Sequence, residues 1–213
     1  MAVDSSWLVE QRPWLTIWYR TRQTIRSVLN DPYPSRISWL FIPLFGISLT
    51  LDQISFSEYG DGYDLSYLLL ISLPIGLVVG VGIWSLYSWM FWGAGRLIGG
   101  EADWKEMHRA LSWAVIPYVA KLFLWYVRAL CFGEETFTLY TPNIDHNPLL
   151  LTFFFLFFFL DVLLTLWFYG ILIKSTAEAH HFSFWKGVAT VLVSLAVLWV
   201  ILKYVVGFVY MPL

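Results

Sequence analysis

Five stretches of the chain are apolar all the way round: about Ile37–Ile54, Ser66–Trp92, Ala110–Cys131, Leu149–Ile173 and Gly187–Tyr210. A helix crosses the hydrocarbon of a bilayer with roughly 20 apolar residues, range about 17 to 25. All five satisfy this, the first with least margin, and the second is long enough to tilt or to run on past the bilayer. Barrel strands would alternate apolar-out and polar-in, whereas "LLLTFFFLFFFLDVLLTLWF" has no such period. The pattern predicts an all-α, polytopic membrane protein with five transmembrane helices over residues 36–213. It is preceded by a more polar segment, residues 1–35.

The connections carry the orientation. Arg12, Arg20, Arg22, Arg26 and Arg36 precede the first span; Arg96, Lys105 and Arg109 lie in the second connection, and Lys174 and Lys186 in the fourth. The first connection, "SFSEYGDGYDL", and the third, "FGEETFTLYTPNIDHNP", hold no lysine or arginine, nor does the tail "MPL". Basic residues are retained on the cytoplasmic side of membrane proteins. The alternation therefore predicts a cytoplasmic N-terminus and an extracytoplasmic C-terminus.

Within residues 1–35 the stretch "RPWLTIWYRTRQTIRSVLNDPYP" follows a helical period. At roughly 100° per residue, Trp18, Ile25, Leu29 and Leu15 fall to one side of Trp14 and Ile17 and Val28 to the other, with Arg20, Gln23, Thr16, Ser27 and Arg26 on the opposite arc. Pro13 suits a first helical position, and the prolines of "NDPYP" end the helix. This predicts one uninterrupted amphipathic helix of about 17 residues, lying in the headgroup plane with its arginines at anionic lipid. Packing of the same apolar face against the bundle's own end is the alternative. Binding of nucleic acid would need a basic surface free of such a face, and none is expected.

Composition agrees with the pattern. The 213 residues are 59% hydrophobic and only 13% charged, where soluble domains carry about a quarter charged residues. Cys131 is the one cysteine, so no intrachain disulfide can form. The first residues, with Glu10, Arg12 and Arg20, do not have the apolar core of a signal peptide.

A few charges fall inside the spans. Lys121 and Asp161 stand midway along the third and fourth, at one depth, and a charge there costs roughly 2.5 to 3.5 kcal/mol. They are expected to form an ion pair facing the bundle interior, or Asp161 to stay neutral and hydrogen-bonded to a neighbour. Arg128 lies one heptad beyond Lys121, with Trp125 between, and Asp52 near the outer end of the first span is its expected partner. Lys203 in the fifth span can snorkel. These five residues either line a path for an ion, a proton or a lipid headgroup, or fix helix register.

Other features have plain readings. "GLVVG", Gly76 to Gly80, is a small-residue pattern that suits helix packing, within the chain or between copies. Pro74 and Pro117 suggest kinks. His180 and His181, near Glu178, point apart on a helix and read as a solvated turn, not a metal site. The acidic outer loops read as solubilising. No motif of an enzyme, cofactor or metal site is found.

Two blocks carry a resemblance. Pro13-Trp14-Leu15-Thr16-Ile17-Trp18 is followed by Arg22-x-Thr24-Ile25-Arg26, and "GGEADWKEMHRALSWAVIP" runs from Gly99 to Pro117. The chain resembles the bacterial branch of the Yip1 family of small five-span membrane proteins. Thr21 departs from the proline that relatives often carry. The resemblance implies a non-enzymatic protein of a bacterial inner membrane that binds protein partners or organises the membrane. Eukaryotic relatives act in vesicle traffic with Rab GTPases and associate with one another, so an unidentified protein and a second copy are the expected partners beside anionic lipid. The expected contact surface comprises Trp14, Trp18, Arg20, Arg22, Arg26 and the loop Gly99–Arg109 with Gly99 and Gly100. The rival reading is a small transporter or lipid-handling protein that uses Lys121 and Asp161.

Overall fold

The computed structural model describes residues 12–31 and 38–209, with side chains described to residue 201 and at Tyr204. Among them every long element is a helix: α1 (Pro13–Thr16), α2 (Thr21–Asn30), α3 (Ser38–Phe56), α4 (Leu65–Leu97), α5 (Trp104–Ala114), α6 (Ile116–Phe132), α7 (Pro142–His146), α8 (Pro148–Ala179) and α9 (Phe184–Val209). Five helical stretches are long and apolar enough to cross a membrane, α5 and α6 together making one. The window that qualifies α8 has a mean hydropathy of 2.6, yet only 6% of it is buried. Apolar surface this exposed needs lipid as its solvent.

Proline acts differently at each site. α3 continues through Pro43 and α4 through Pro74, so no break follows the proline of the second span. The third span does break: helix lapses at Val115 and resumes at Ile116, with Pro117 in the new first turn, where a missing N–H costs nothing.

The chain forms two compact units. Among the described residues, one comprises 38–84 and 112–170; the other comprises 12–31, 85–111 and 171–209. In the first, α3 packs on α6, around Ile47, Leu51, Leu68, Trp125 and Phe137. Two of its helices approach closely at glycines. A Cβ on Gly46 would lie 1.9 Å from the Gly76 carbonyl oxygen and 2.3 Å from the Gly80 Cα. "GLVVG" thus brings α4 against α3 of the same chain. The acidic loop residues do more than solubilise. Glu135 accepts from the Asn143 and Ile144 backbone N–H groups at 2.8 and 2.9 Å, capping the start of α7. Asp61 accepts from the Leu139 N–H at 3.2 Å.

In the second unit, the expected single N-terminal helix is two. α1 ends at Thr16, and Arg20, with φ −120° and ψ 42°, precedes α2. The break is held by hydroxyls. Thr21 donates to the Ile17 carbonyl at 2.9 Å, and Thr24 donates to the Thr16 hydroxyl at 2.9 Å. Thr21 is the first residue of α2, the position proline favours. The break therefore persists without the proline. The buried side takes in only part of the expected apolar face: Ile17, Ile25 and Val28 are buried, together with Thr16, Thr21 and Thr24, while Trp14 is 50% exposed.

Candidate functional site

Two places collect the polar residues singled out from sequence. The first is a buried charge cluster on α3, α6 and α8. Tyr118, Lys121, Trp125 and Arg128 recur at helical spacing along one stripe of α6. Lys121 is 3% exposed, its Nζ 2.9 Å from Asp52 Oδ2 and 3.2 Å from Asp161 Oδ1. It also donates to Thr165 Oγ1 at 3.3 Å, and Thr165 lies one turn along α8 from Asp161. An ammonium has three N–H donors, and three acceptors stand around this one.

Asp52 takes more than the lysine. Trp125 Nε1–H donates to its Oδ1 at 2.9 Å, and the Tyr118 hydroxyl donates to its Oδ2. Pairing of Lys121 with Asp161 is found as expected, but Asp52 is the partner of Lys121, not of Arg128. Arg128 instead lies 4.3 Å from the centroid of the Trp125 ring, and no acceptor meets its buried Nε. The physical reason is reach: the stripe puts Lys121 and Trp125 against α3 first. With all four ionised, two carboxylates balance Lys121 and Arg128. Tyr118 and Thr165, one turn from the charges, are members that sequence reasoning missed. The Lys203 side chain lies outside the described residues.

The second place is the basic surface of the other unit. Arg26 Nε meets Glu178 Oε1 at 2.7 Å, and Arg22 donates to the Phe182 carbonyl at 3.4 Å. Arg109 donates to the Asp31 carbonyl at 3.5 Å. So α2 is tied to the turn between α8 and α9 and to α5. Trp18 and Arg20 are partly buried, and Tyr19 is 66% exposed.

The turn that reads as solvated is in fact largely buried. Phe182 and His181 N–H groups donate back to Ala177 and Glu178 at 2.7 and 3.2 Å, with His181 at φ 56°. This is a Schellman ending for α8. It drives His180 inward, to 1% exposure. A Cβ on Gly95 would lie 2.1 Å from His180 Nε2, and one on Gly100 2.3 Å from its Nδ1. His180 Nε2–H donates to the Phe91 carbonyl at 3.2 Å, which leaves the buried Nδ1 without a partner. Burial, helped by Arg96 and His181, pushes the imidazole pKa down.

Gly99 and Gly100 have separate tasks here. Gly99 ends α4 at φ +89°, with the Gly100 N–H donating to the Gly95 carbonyl at 2.8 Å. Gly100 leaves room for His180. The expected loop Gly99–Arg109 is shorter than supposed, since α5 begins at Trp104. Asp103 and Glu106 cap it reciprocally: the Glu106 N–H donates to Asp103 Oδ1 at 2.7 Å, and the Asp103 N–H to Glu106 Oε2 at 2.8 Å.

Apolar helices exposed to lipid, a charge cluster neutralised between three of them and a polar N-terminal segment define a multi-pass α-helical membrane protein. The family model described as Yip1 domain matches residues 15–206, and the chain belongs to the Yip1 family. No curated protein and no solved structure matches it.

Proposed function

We propose that this Yip1 family protein is non-enzymatic and binds a protein partner at the cytoplasmic face of the cell membrane. Its N-terminus lies on that face and its C-terminus outside. The observation that best supports the reading is the N-terminal segment. Arg22, Arg26 and Arg109 anchor it, yet Trp14 and Tyr19 stay 50% and 66% exposed. Exposed aromatics on a rigid support are what recognition surfaces use. The eukaryotic members of the family associate with Rab GTPases, and a protein presented at the same basic face is the corresponding partner here.

Conduction through the charge cluster has less support, because all three Lys121 donors are engaged. A photo-crosslinker at Tyr19, in native membranes, is expected to capture one discrete protein, and Trp14→Ala to reduce that capture. Capture of lipid alone would overturn the reading.

A further inference from the structure

A cavity of about 700 Å³ opens beside the start of α2. Three of its described lining residues are cations, Arg20, Arg22 and Lys174, and none of the described ones is acidic. Tyr19 and Phe184 supply aromatic wall. The N–H groups of the first turn of α2 have no intrahelical acceptor, and Arg20 provides no side-chain cap. No acidic side chain stands in that turn. Cations, open N–H donors and the positive end of a helix dipole thus converge on one hollow, which suits a concentrated negative charge.

Depth identifies the source of that charge. Lys174 follows directly on the apolar run of α8, which ends at Ile173, and Phe184 opens α9. Trp185, next in the chain, is 76% exposed. Aromatic residues mark the headgroup level of a bilayer. A soluble anion has no need of an aromatic wall at that level, whereas a phospholipid presents its phosphate there and its chains alongside. Three cations exceed the charge of a single phosphodiester. We infer that the cavity walled by Arg20, Arg22 and Lys174 is a binding site for the headgroup of an anionic phospholipid carrying two phosphates. The inference rests on the proposed function in one respect, that this basic surface meets the membrane on the cytoplasmic side. It adds a defined lipid site to the protein surface.

The test uses the full chain, delipidated in detergent and titrated with cardiolipin, phosphatidylglycerol, phosphatidylcholine and inorganic pyrophosphate, with bound ligand read by native mass spectrometry. Cardiolipin should bind most tightly and phosphatidylcholine least. A juxtamembrane cation contributes about 1 kcal/mol, so Arg20→Gln with Lys174→Gln should weaken cardiolipin about thirty-fold and leave phosphatidylcholine unchanged. Gln23→Glu, at an exposed position, sets an acid in the same cavity and should weaken cardiolipin even if the double variant misfolds. Unchanged cardiolipin binding in a folded variant overturns the site. Pyrophosphate binding as tightly as cardiolipin overturns the lipid assignment. If crosslinking from Tyr19 to a protein survives either outcome, the partner-binding reading stands and only the lipid site falls.

Discussion

At the scale of single residues, the two aspartates around Lys121 are not equivalent. Asp52 accepts from Lys121, Trp125 and Tyr118, whereas Asp161 meets the lysine at 3.2 Å and leaves the 2.9 Å contact to Asp52. Asp52→Asn strips the charge from the centre of the network, and breaking a buried pair costs about 3–5 kcal/mol. Asp161→Asn keeps the stronger pair and should cost about 1 kcal/mol, the size of one interhelical polar contact in a membrane. Thermal unfolding of the two variants in detergent checks the order; equal losses would contradict it. His180 gives a pH prediction. Its folded-state pKa lies below the ordinary 6.5, so on acidification the unfolded chain takes up the proton first. Stability is then full above about pH 6.5 and falls as the pH drops toward the folded-state value. Melting temperatures between about pH 8 and pH 5 should show that fall, and His180→Gln, which keeps an N–H for the Phe91 carbonyl, should flatten it.

At the scale of elements, the glycines of α3 and α4 set the approach of two helices. Gly46→Ala would press a methyl group on backbone atoms of Gly76 and Gly80, which cannot swing aside as a side chain can. The helices must part, and overpacking of this kind costs about 1–3 kcal/mol. Gly82→Ala meets nothing within 4 Å and should be neutral, so comparing the two variants by folded yield and melting temperature isolates the contact. The same elements show what was legible beforehand. Spans could be counted because lipid-facing helices are apolar on all sides, a property of each segment alone. The Lys121–Asp161 pair followed from shared depth. The capping box of α5 is also written in the chain, as Asp103-x-x-Glu106, inside the stretch expected to be loop. The break between α1 and α2 was not visible, because threonine hydroxyls make it where a proline would have announced it. The burial of His180 could not be read either, since it depends on the missing Cβ atoms of Gly95 and Gly100, two glycines distant in sequence.

At the scale of the whole molecule, the distribution of charge makes a claim about crossings. Ten lysines and arginines fall in the N-terminal segment and the second and fourth connections, and none in the first and third. Five helices long and apolar enough to span a membrane separate those connections. If all five cross, the odd number puts the two ends of the chain on opposite sides, and the proposed orientation has the basic end inside. Reporters active only in the cytoplasm, fused in turn ahead of the first span and after the fifth, should therefore be active in the first fusion and silent in the second. With the exposed Cys131 first replaced by serine, a cysteine placed at exposed Tyr140, in the acidic third connection, should label with an impermeant reagent from outside, and one at exposed Gln23 should not. The break at Val115 makes this informative. Were α5 to lie along the surface, α6 alone, Ile116–Phe132, would have to complete the third crossing. Seventeen residues rising about 1.5 Å each reach roughly 25 Å, the lower limit for a crossing, so α6 would span with little margin unless the last turns of α5 contribute. Labelling of both Tyr140→Cys and Gln23→Cys only after permeabilisation would mean that an even number of segments crosses between them, and the count of five would fall with it.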